Sequence, residues 1–332
     1  MVLFSTPVNI QPAPFDLSFR DKILLAGSCF AEEIGGLLTE NKFDVDVNPF
    51  GALYNPLSLD DALRRLASGK PYIHSDLFLH EGRYYSFAHH SKFSSADADT
   101  ALKMMNDRIE LSTLQLKECS LLIVTWGTAF GYRLKSGDGK VVANCHKLPA
   151  ETFIREMLSI DEILCRWNYL LASLFALNPN LHLVLTVSPI RHLNDGAQGN
   201  QISKSTLIIA ADRLRQSFPD RISYFPAYEI MMDELRDYRF YADDMLHPSR
   251  TAVEYIWEKF RNSYFSSETK TAYDAWQPIR KALRHVPFNP KSETYRKFVE
   301  HSLAKLESIS EKYPFFDVSN ERSLFQSILD SF

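Results

Sequence analysis

Three short apolar runs, each ending in small or turn-forming residues, constrain this chain more than any other feature. They are residues 22–26 (KILLA, then Gly-Ser), 121–125 (LLIVT, then Trp-Gly-Thr) and 181–187 (LHLVLTV, then Ser-Pro). Their hydrophobicity is continuous rather than alternating, which suits strands covered on both faces. Helical patterns lie between them, at residues 31–40, 60–67, 161–177 and 202–218, and the last leads to a fourth strand at 222–225. The expected fold is α/β, a three-layer doubly wound parallel sheet. In such sheets chemistry gathers at the carboxyl ends of the strands, where the punctuating residues sit.

Residues 1–265 are expected to form this α/β domain. Within it, residues 71–99 carry His74, His80, His89 and His90 with several aromatics and short hairpin-like stretches. They read as an insertion over the sheet edge and a candidate lid. The LKSGDG stretch at 134–139 is a hairpin turn signal rather than a phosphate loop. Residues 266–332 change character and read as a helical C-terminal extension. Its segment 292–312 places Tyr295, Phe298, Val299, Leu303, Leu306 and Ile309 near helical spacing. That stripe is a docking face, for the domain itself or for a second copy in a homodimer.

Composition excludes several classes. The 332 residues carry a net charge of −4, so no basic surplus argues for nucleic acid. No window approaches the roughly 18 apolar residues of a membrane helix. The first residues lack the basic and apolar regions of a secretory signal. The four cysteines, Cys29, Cys119, Cys145 and Cys165, form no CxxC pair or zinc spacing. Free thiols in a reducing, cytoplasmic setting are expected. The histidines of 71–99 match no zinc pattern, so no metal is expected.

Two segments carry chemistry. In KILLAGSCFAEEIGG a strand ends at Gly27 and a helix begins within a few residues. A nucleophile at that turn meets the positive end of the helix dipole and unpaired N–H groups. Ser28 as a helix cap and Cys29 as a small buried hydrophobe is the structural alternative. In YADDMLHPSRTAVEYIW, Asp244 and His247 stand three apart before a helix. The carboxylate can accept from one ring nitrogen and leave the other free to accept a proton. Asp244 as a cap and His247 as a surface turn residue is the alternative there.

Taken together, the two segments resemble the SGNH (GDSL-type) hydrolase superfamily, and GSCFAEEIG is similar to the motif that names its GSCFA family. The resemblance spans roughly residues 20–265 and implies an SGNH/flavodoxin-like fold that needs no cofactor. Gly27-Ser28-Cys29-Phe30 matches Gly-Asp-Ser-Leu without gaps and puts Cys29 at the nucleophile position. A one-residue shift puts Ser28 there. Gly51 in NPFGALYNP resembles the glycine whose N–H lines the oxyanion hole. Gly127-Thr128-Ala129-Phe130 resembles Gly-x-Asn-Asp, but Ala129 replaces the asparagine. Losing one such donor typically removes roughly 3 kcal/mol of transition-state stabilisation. Thr128 or Asn144 is the candidate substitute.

The reading is therefore an ester hydrolase acting on a small-molecule or carbohydrate ester, for instance an O-acyl group on a sugar. Cys29 or Ser28 attacks, His247 moves the proton and Asp244 orients it. The oxyanion donors are the N–H groups of Cys29 and Gly51, with Thr128 or Asn144. Asn48, Asn55, His146, Arg191 and His192 are candidate substrate contacts. Acyl transfer to another hydroxyl, and non-catalytic ligand binding on the same fold, are the alternatives.

Overall fold

The computed structural model describes residues 5–136 and 139–332. In chain order the elements begin with β1 (Lys22–Gly27), α1 (Cys29–Glu40), β2 (Asp44–Val47), α2 (Pro56–Ser68), β3 (Phe78–His80), β4 (Arg83–Tyr85) and α3 (Ala98–Glu118). They continue with β5 (Leu121–Trp126), β6 (Phe130–Leu134), β7 (Val141–Val142), β8 (Phe153–Met157), α4 (Ile160–Leu177), β9 (His182–Val187) and α5 (Gly196–Ser217). Last come β10 (Ile222–Phe225), α6 (Ala227–Glu229), α7 (Arg250–Tyr264), α8 (Ser267–Leu283), α9 (Glu293–Lys312) and α10 (Ser319–Asp330).

The apolar runs form a five-stranded sheet in the order β2-β1-β5-β9-β10, with every neighbouring pair parallel. Continuous hydrophobicity follows from burial on both faces. Ile23, Leu25, Ile123 and Val184 pack with α1 and α7. Leu24, Ala26, Leu122, Val124, Leu183 and Leu185 pack with α2, α3, α4 and α5. This is the expected three-layer α/β fold. The chain leaves β1 towards β2 on one side and returns to β5 on the other. That reversal makes the carboxyl ends of β1 and β5 a topological switch point, where a crevice opens.

Two elements were not legible. The edge strand β2 reads Asp-Val-Asp-Val and pairs only with β1; Asp46 meets Arg108 on α3. Helix α3 itself is long, but its exposed Met104, Leu111 and Leu114 blur the apolar stripe of Ala101, Met105, Ile109 and Leu116. A small antiparallel sheet, β7-β6-β8, stands beside the main one. The turn read at 134–139 contains Gly137 and Asp138, which lie outside the described residues; β6 and β7 on either side of it pair antiparallel.

The C-terminal helices dock on the chain's own domain. Val299, Leu306 and Ile309 of α9 join one core with Phe30 and Leu38 of α1 and Trp257 of α7. The Trp276 indole N–H donates to the Glu40 carbonyl at 3.0 Å, and Lys42 pairs with Glu321 at 2.6 Å. Among the described residues no helix is long and apolar enough to cross a membrane.

Candidate active site

The end of β1 is built around Gly27. Its φ of +154° lies in a region side chains rarely adopt, and a Cβ there would meet the Thr125 carbonyl oxygen at 2.4 Å. Only glycine lets β1 run this close to β5 and then turn. The Ser28 N–H still donates to the Thr125 carbonyl at 3.2 Å, and Cys29 opens α1. Ser28 is 1% exposed. Its hydroxyl makes no cap bond and has no hydrogen-bond partner. Cys29 is half-buried. Burial pushes its thiol up, while its own N–H and that of Phe30 pull the other way and Glu32 and Glu33 add to the rise. The free thiol is therefore the resting form at neutral pH, and a base must take its proton.

A candidate base stands beside it. The Cys29 Sγ lies 4.0 Å from His247 Nε2, and His247 Nδ1 lies 2.5 Å from Asp244 Oδ2. The carboxylate selects the tautomer protonated at Nδ1 and leaves Nε2 as acceptor. The other carboxylate oxygen accepts the Leu246 and His247 N–H groups at 2.9 Å each. These two backbone bonds, with the imidazole contact, hold the Asp244 carboxyl down at about 2. The loop is tight: Met245 takes a left-handed φ of 59°, and the Ala242 N–H donates to the His247 carbonyl at 2.8 Å. Ser249 then caps α7 by accepting the Ala252 N–H.

A cleft of about 930 Å³ opens at this point, of a size that suits a small-molecule or sugar ligand. Cys29, Tyr54, Thr128, Asn144, Arg191, His192 and His247 line it, with Phe130, Tyr132, Phe153 and Arg155 from the β6–β8 region. Residues 71–99 do not line it. The candidate lid reading is thus corrected: the β6–β8 sheet walls the cleft. The 71–99 segment lies behind that wall, with Phe87 against Phe153 and its carbonyl accepting the Ala143 N–H at 2.8 Å, and with His89 against Phe50, Tyr72 and Phe93.

The candidate residues sort by what their polar atoms already hold. The Thr128 hydroxyl accepts the Phe130 N–H and contacts Ser203 Oγ, both at 3.1 Å. Asn144 accepts the His146 N–H through its side-chain carbonyl oxygen at 2.8 Å, and the residue lines the cleft. Arg191 donates to the Met245 carbonyl at 2.8 Å and lies 4.7 Å over the Tyr241 ring, so it braces the Asp244–His247 loop. Burial, reinforced by Lys204, pushes His192 down to about 4, making it a neutral polar wall.

Four expectations are corrected. The Gly51 N–H donates to the Asn48 carbonyl at 2.8 Å, so it is engaged within its own turn and does not point to an oxyanion. Gly51 is required because its φ is +79° and a Cβ would sit 2.3 Å from that of His90. Asn48 is buried and accepts the Gly27 N–H at 2.8 Å; it pins the turn before Cys29 and does not line the cleft. Asn55 lines the cleft, but its amide caps α2 and donates to Ser58 Oγ, both at 2.9 Å. His146 is buried, with Nε2 2.9 Å from the Ser86 carbonyl and rings of Tyr85 and Phe78 around it.

Sequence reasoning missed Ser203 and Lys204 on α5. The Ser203 hydroxyl accepts the Ala129 N–H at 2.8 Å. Lys204 is fully buried and donates to the carbonyls of Gly127 at 2.7 Å and Ser188 at 2.8 Å. The available signal was register: both stand three to four residues before Leu207 on the stripe that continues through Ala210, Ala211 and Leu214.

Residues 22–260 match a sequence profile described as the GSCFA family, and residues 276–331 match one described as GSCFA domain protein, C-terminal domain. Among solved structures the chain is similar to a Clostridium thermocellum family 3 carbohydrate esterase, at 10% identity and a TM-score of 0.33, over 80% of this chain and 99% of that one. It is also similar to an acetyl xylan esterase from the rumen bacterium Butyrivibrio proteoclasticus, at 12% identity and a TM-score of 0.38. That match covers 74% of this chain and 65% of the other, so this chain spans just under two thirds of it. No curated protein matches the chain.

Proposed function

The chain belongs to the GSCFA family, and from that premise we propose that it is an ester hydrolase with a Cys29–His247–Asp244 centre. The observation that carries this reading is the 4.0 Å approach of Cys29 Sγ to His247 Nε2, with Nδ1 bonded to Asp244. A thiol and imidazole this close are within the looser range usual before substrate binds. Sulfur attacks the acyl carbon as Nε2 takes the thiol proton, giving a tetrahedral oxyanion and an imidazolium stabilised by Asp244. Collapse expels the alkoxide, which takes the proton from Nε2 and leaves a thioester. Water then adds with its proton passing to Nε2, the thioester breaks, and the thiol and the carboxylic acid are released. Oxyanion donors are the Cys29 N–H at the start of α1, with the Thr128 hydroxyl and the Asn144 amide replacing the side chain absent at Ala129.

We assign the substrate to O-acylated carbohydrates or similarly sized esters. The support is a cleft of about 930 Å³ with aromatic residues Phe130, Tyr132 and Phe153 beside polar ones. A nucleophilic thiol needs a reducing compartment, which favours the cytoplasm.

Hydrolysis of p-nitrophenyl acetate and of acetylated xylo-oligosaccharide tests the reading, with mass spectrometry of the acylated peptide. Cys29→Ala and His247→Ala are expected to lower kcat by at least roughly 10³-fold. Ser28→Ala is expected to keep most activity, since its hydroxyl has no hydrogen-bond partner. Loss of activity in Ser28→Ala with retention in Cys29→Ala would transfer the nucleophile to Ser28.

Non-catalytic ligand binding is the second reading. The observation favouring it is the thin set of oxyanion donors: Ala129 carries none, and the Gly51 N–H is engaged. Saturable binding of acetylated sugar without turnover or acylation in the unaltered protein would select it.

A further inference from the structure

Helix α5 carries a polar face that no role so far uses. Ser203 holds the Ala129 N–H and contacts the Thr128 hydroxyl, and Lys204 holds the Gly127 carbonyl. Together they grip the whole turn after β5, the turn that lacks the asparagine. The same ammonium reaches the Ser188 carbonyl at the end of β9. One side chain therefore ties together two of the strand exits that wall the cleft.

A cation is an unusual tie. Lys204 is 0% exposed, and among the described residues no carboxylate lies within ion-pair distance of it. Around its Nζ are two carbonyl oxygens and the face of the Tyr228 ring, 5.3 Å away. Glu229 acts on it only at longer range, and its carboxylate already accepts the Tyr224 hydroxyl. Two neutral amide donors would satisfy the same carbonyls without desolvating a charge. A charge kept there acts on charges that form nearby, and the cleft's reaction forms one: first a thiolate, then an oxyanion.

We propose that Lys204 is a positioning residue of this site, an interior cation that holds the Gly127 and Ser188 exits and favours negative charge at Cys29. The proposal rests on the reading of Cys29 as nucleophile. Its place in the fold supplies the proximity: the Gly127 carbonyl it holds precedes Thr128, and Thr128 and Ser188 line the same cleft as Cys29. A negative charge at Cys29 favours the protonated lysine. Electrostatic interaction is mutual, so a protonated lysine favours an anion at Cys29 once one forms, while burial dominates the resting thiol. The same field disfavours a protonated His192 on the facing wall. Burial pushes Lys204 down to about 7, so the cation is present on the acidic side of neutrality and lost on the alkaline side. Around it stand Cys29, Glu229, Tyr228 and His192, and the test must separate its contribution from theirs.

Lys204→Met keeps most of the apolar stem and removes the terminal nitrogen, and with it the charge and the two carbonyl bonds. Iodoacetamide alkylation of Cys29 across pH 6–10 is the first measurement and ester turnover the second. The expected result is about tenfold slower Cys29 labelling at about pH 6–7, where the unaltered lysine carries its charge, equivalent to about one pH unit, with the two curves converging above about pH 9 and with kcat reduced and KM little changed. Ser203→Ala keeps the cation and loosens the same turn. It is expected to lower kcat while leaving the labelling rate at about pH 6–7 in place. Unchanged labelling at that pH in folded Lys204→Met would overturn the proposal and leave Lys204 a structural tie. If Lys204→Met does not fold, the unaltered protein decides. The lysine ¹³Cε signal titrating below the others is followed after Cys29 is alkylated with iodoacetate, which leaves a carboxylate there, and after alkylation with iodoacetamide, which leaves a neutral amide. A higher midpoint with the carboxylate than with the amide supports the coupling, and equal midpoints overturn it. Failure to acylate Cys29 in the unaltered enzyme would instead defeat the catalytic reading, so the two failures are distinct.

Discussion

At the scale of single residues, the site depends on which polar atoms are already engaged. Asp244 shows the point. Its carboxylate is fixed by two backbone N–H groups as well as by His247, and it is held down at about 2. An unfolded aspartate titrates near ~3.9. The folded value is the lower one, so Asp244 contributes stability above about pH 4 and that contribution is lost as pH falls towards about 2. The His247–Asp244 contact is thus expected to persist at pH 5 and to fade only in that acidic window, as followed by the imidazole ¹H–¹⁵N signals. Asp244→Asn keeps the shape but leaves His247 without an anionic partner. It is expected to lower kcat by roughly 10³- to 10⁴-fold with little change in KM, measured by steady-state ester hydrolysis.

At the scale of elements, strand ends and helix starts set the geometry. Gly27 closes β1 against β5, Asn48 fastens that turn, and α1 begins with Cys29 in its first position. Gly27→Ala would force a Cβ into the Thr125 carbonyl at a φ that alanine resists. A loss of at least about 3 kcal/mol is expected in urea unfolding, with Cys29 moved away from His247. Opposite it, the loop before α7 is locked by the Arg191 bond to Met245. The segments that carry Cys29, Asp244 and His247 were legible because each is short and local: a strand-to-helix turn and a loop closed over three residues. Asn48, Gly51, Asn55 and His146 were misread for the opposite reason. Their polar groups are taken by partners such as the Gly27 N–H and the Ser86 carbonyl, and a side chain's type does not reveal whether its hydrogen bonds are already made.

At the scale of the whole molecule, the C-terminal helices share a core with the α1 side of the sheet. Trp276 is 1% exposed and stands between α1 and Phe316. Trp276→Ala is expected to destabilise the entire chain by about 3–5 kcal/mol. The check is thermal unfolding followed by circular dichroism and by Cys29 labelling, which should report one shared transition rather than loss of the helices alone. The sequence by itself determined four of the five parallel strands, most of the helices around them and the two short segments that carry the thiol and the Asp-His pair, because hydrophobic period and local turn chemistry are written within a few residues. Only the tertiary structure decided that these segments meet, that the β6–β8 sheet rather than residues 71–99 walls the cleft, and that a buried lysine lies under it. Those outcomes depend on which distant groups compete for the same donors and on which surfaces exclude water, and both are settled when the layers close on one another.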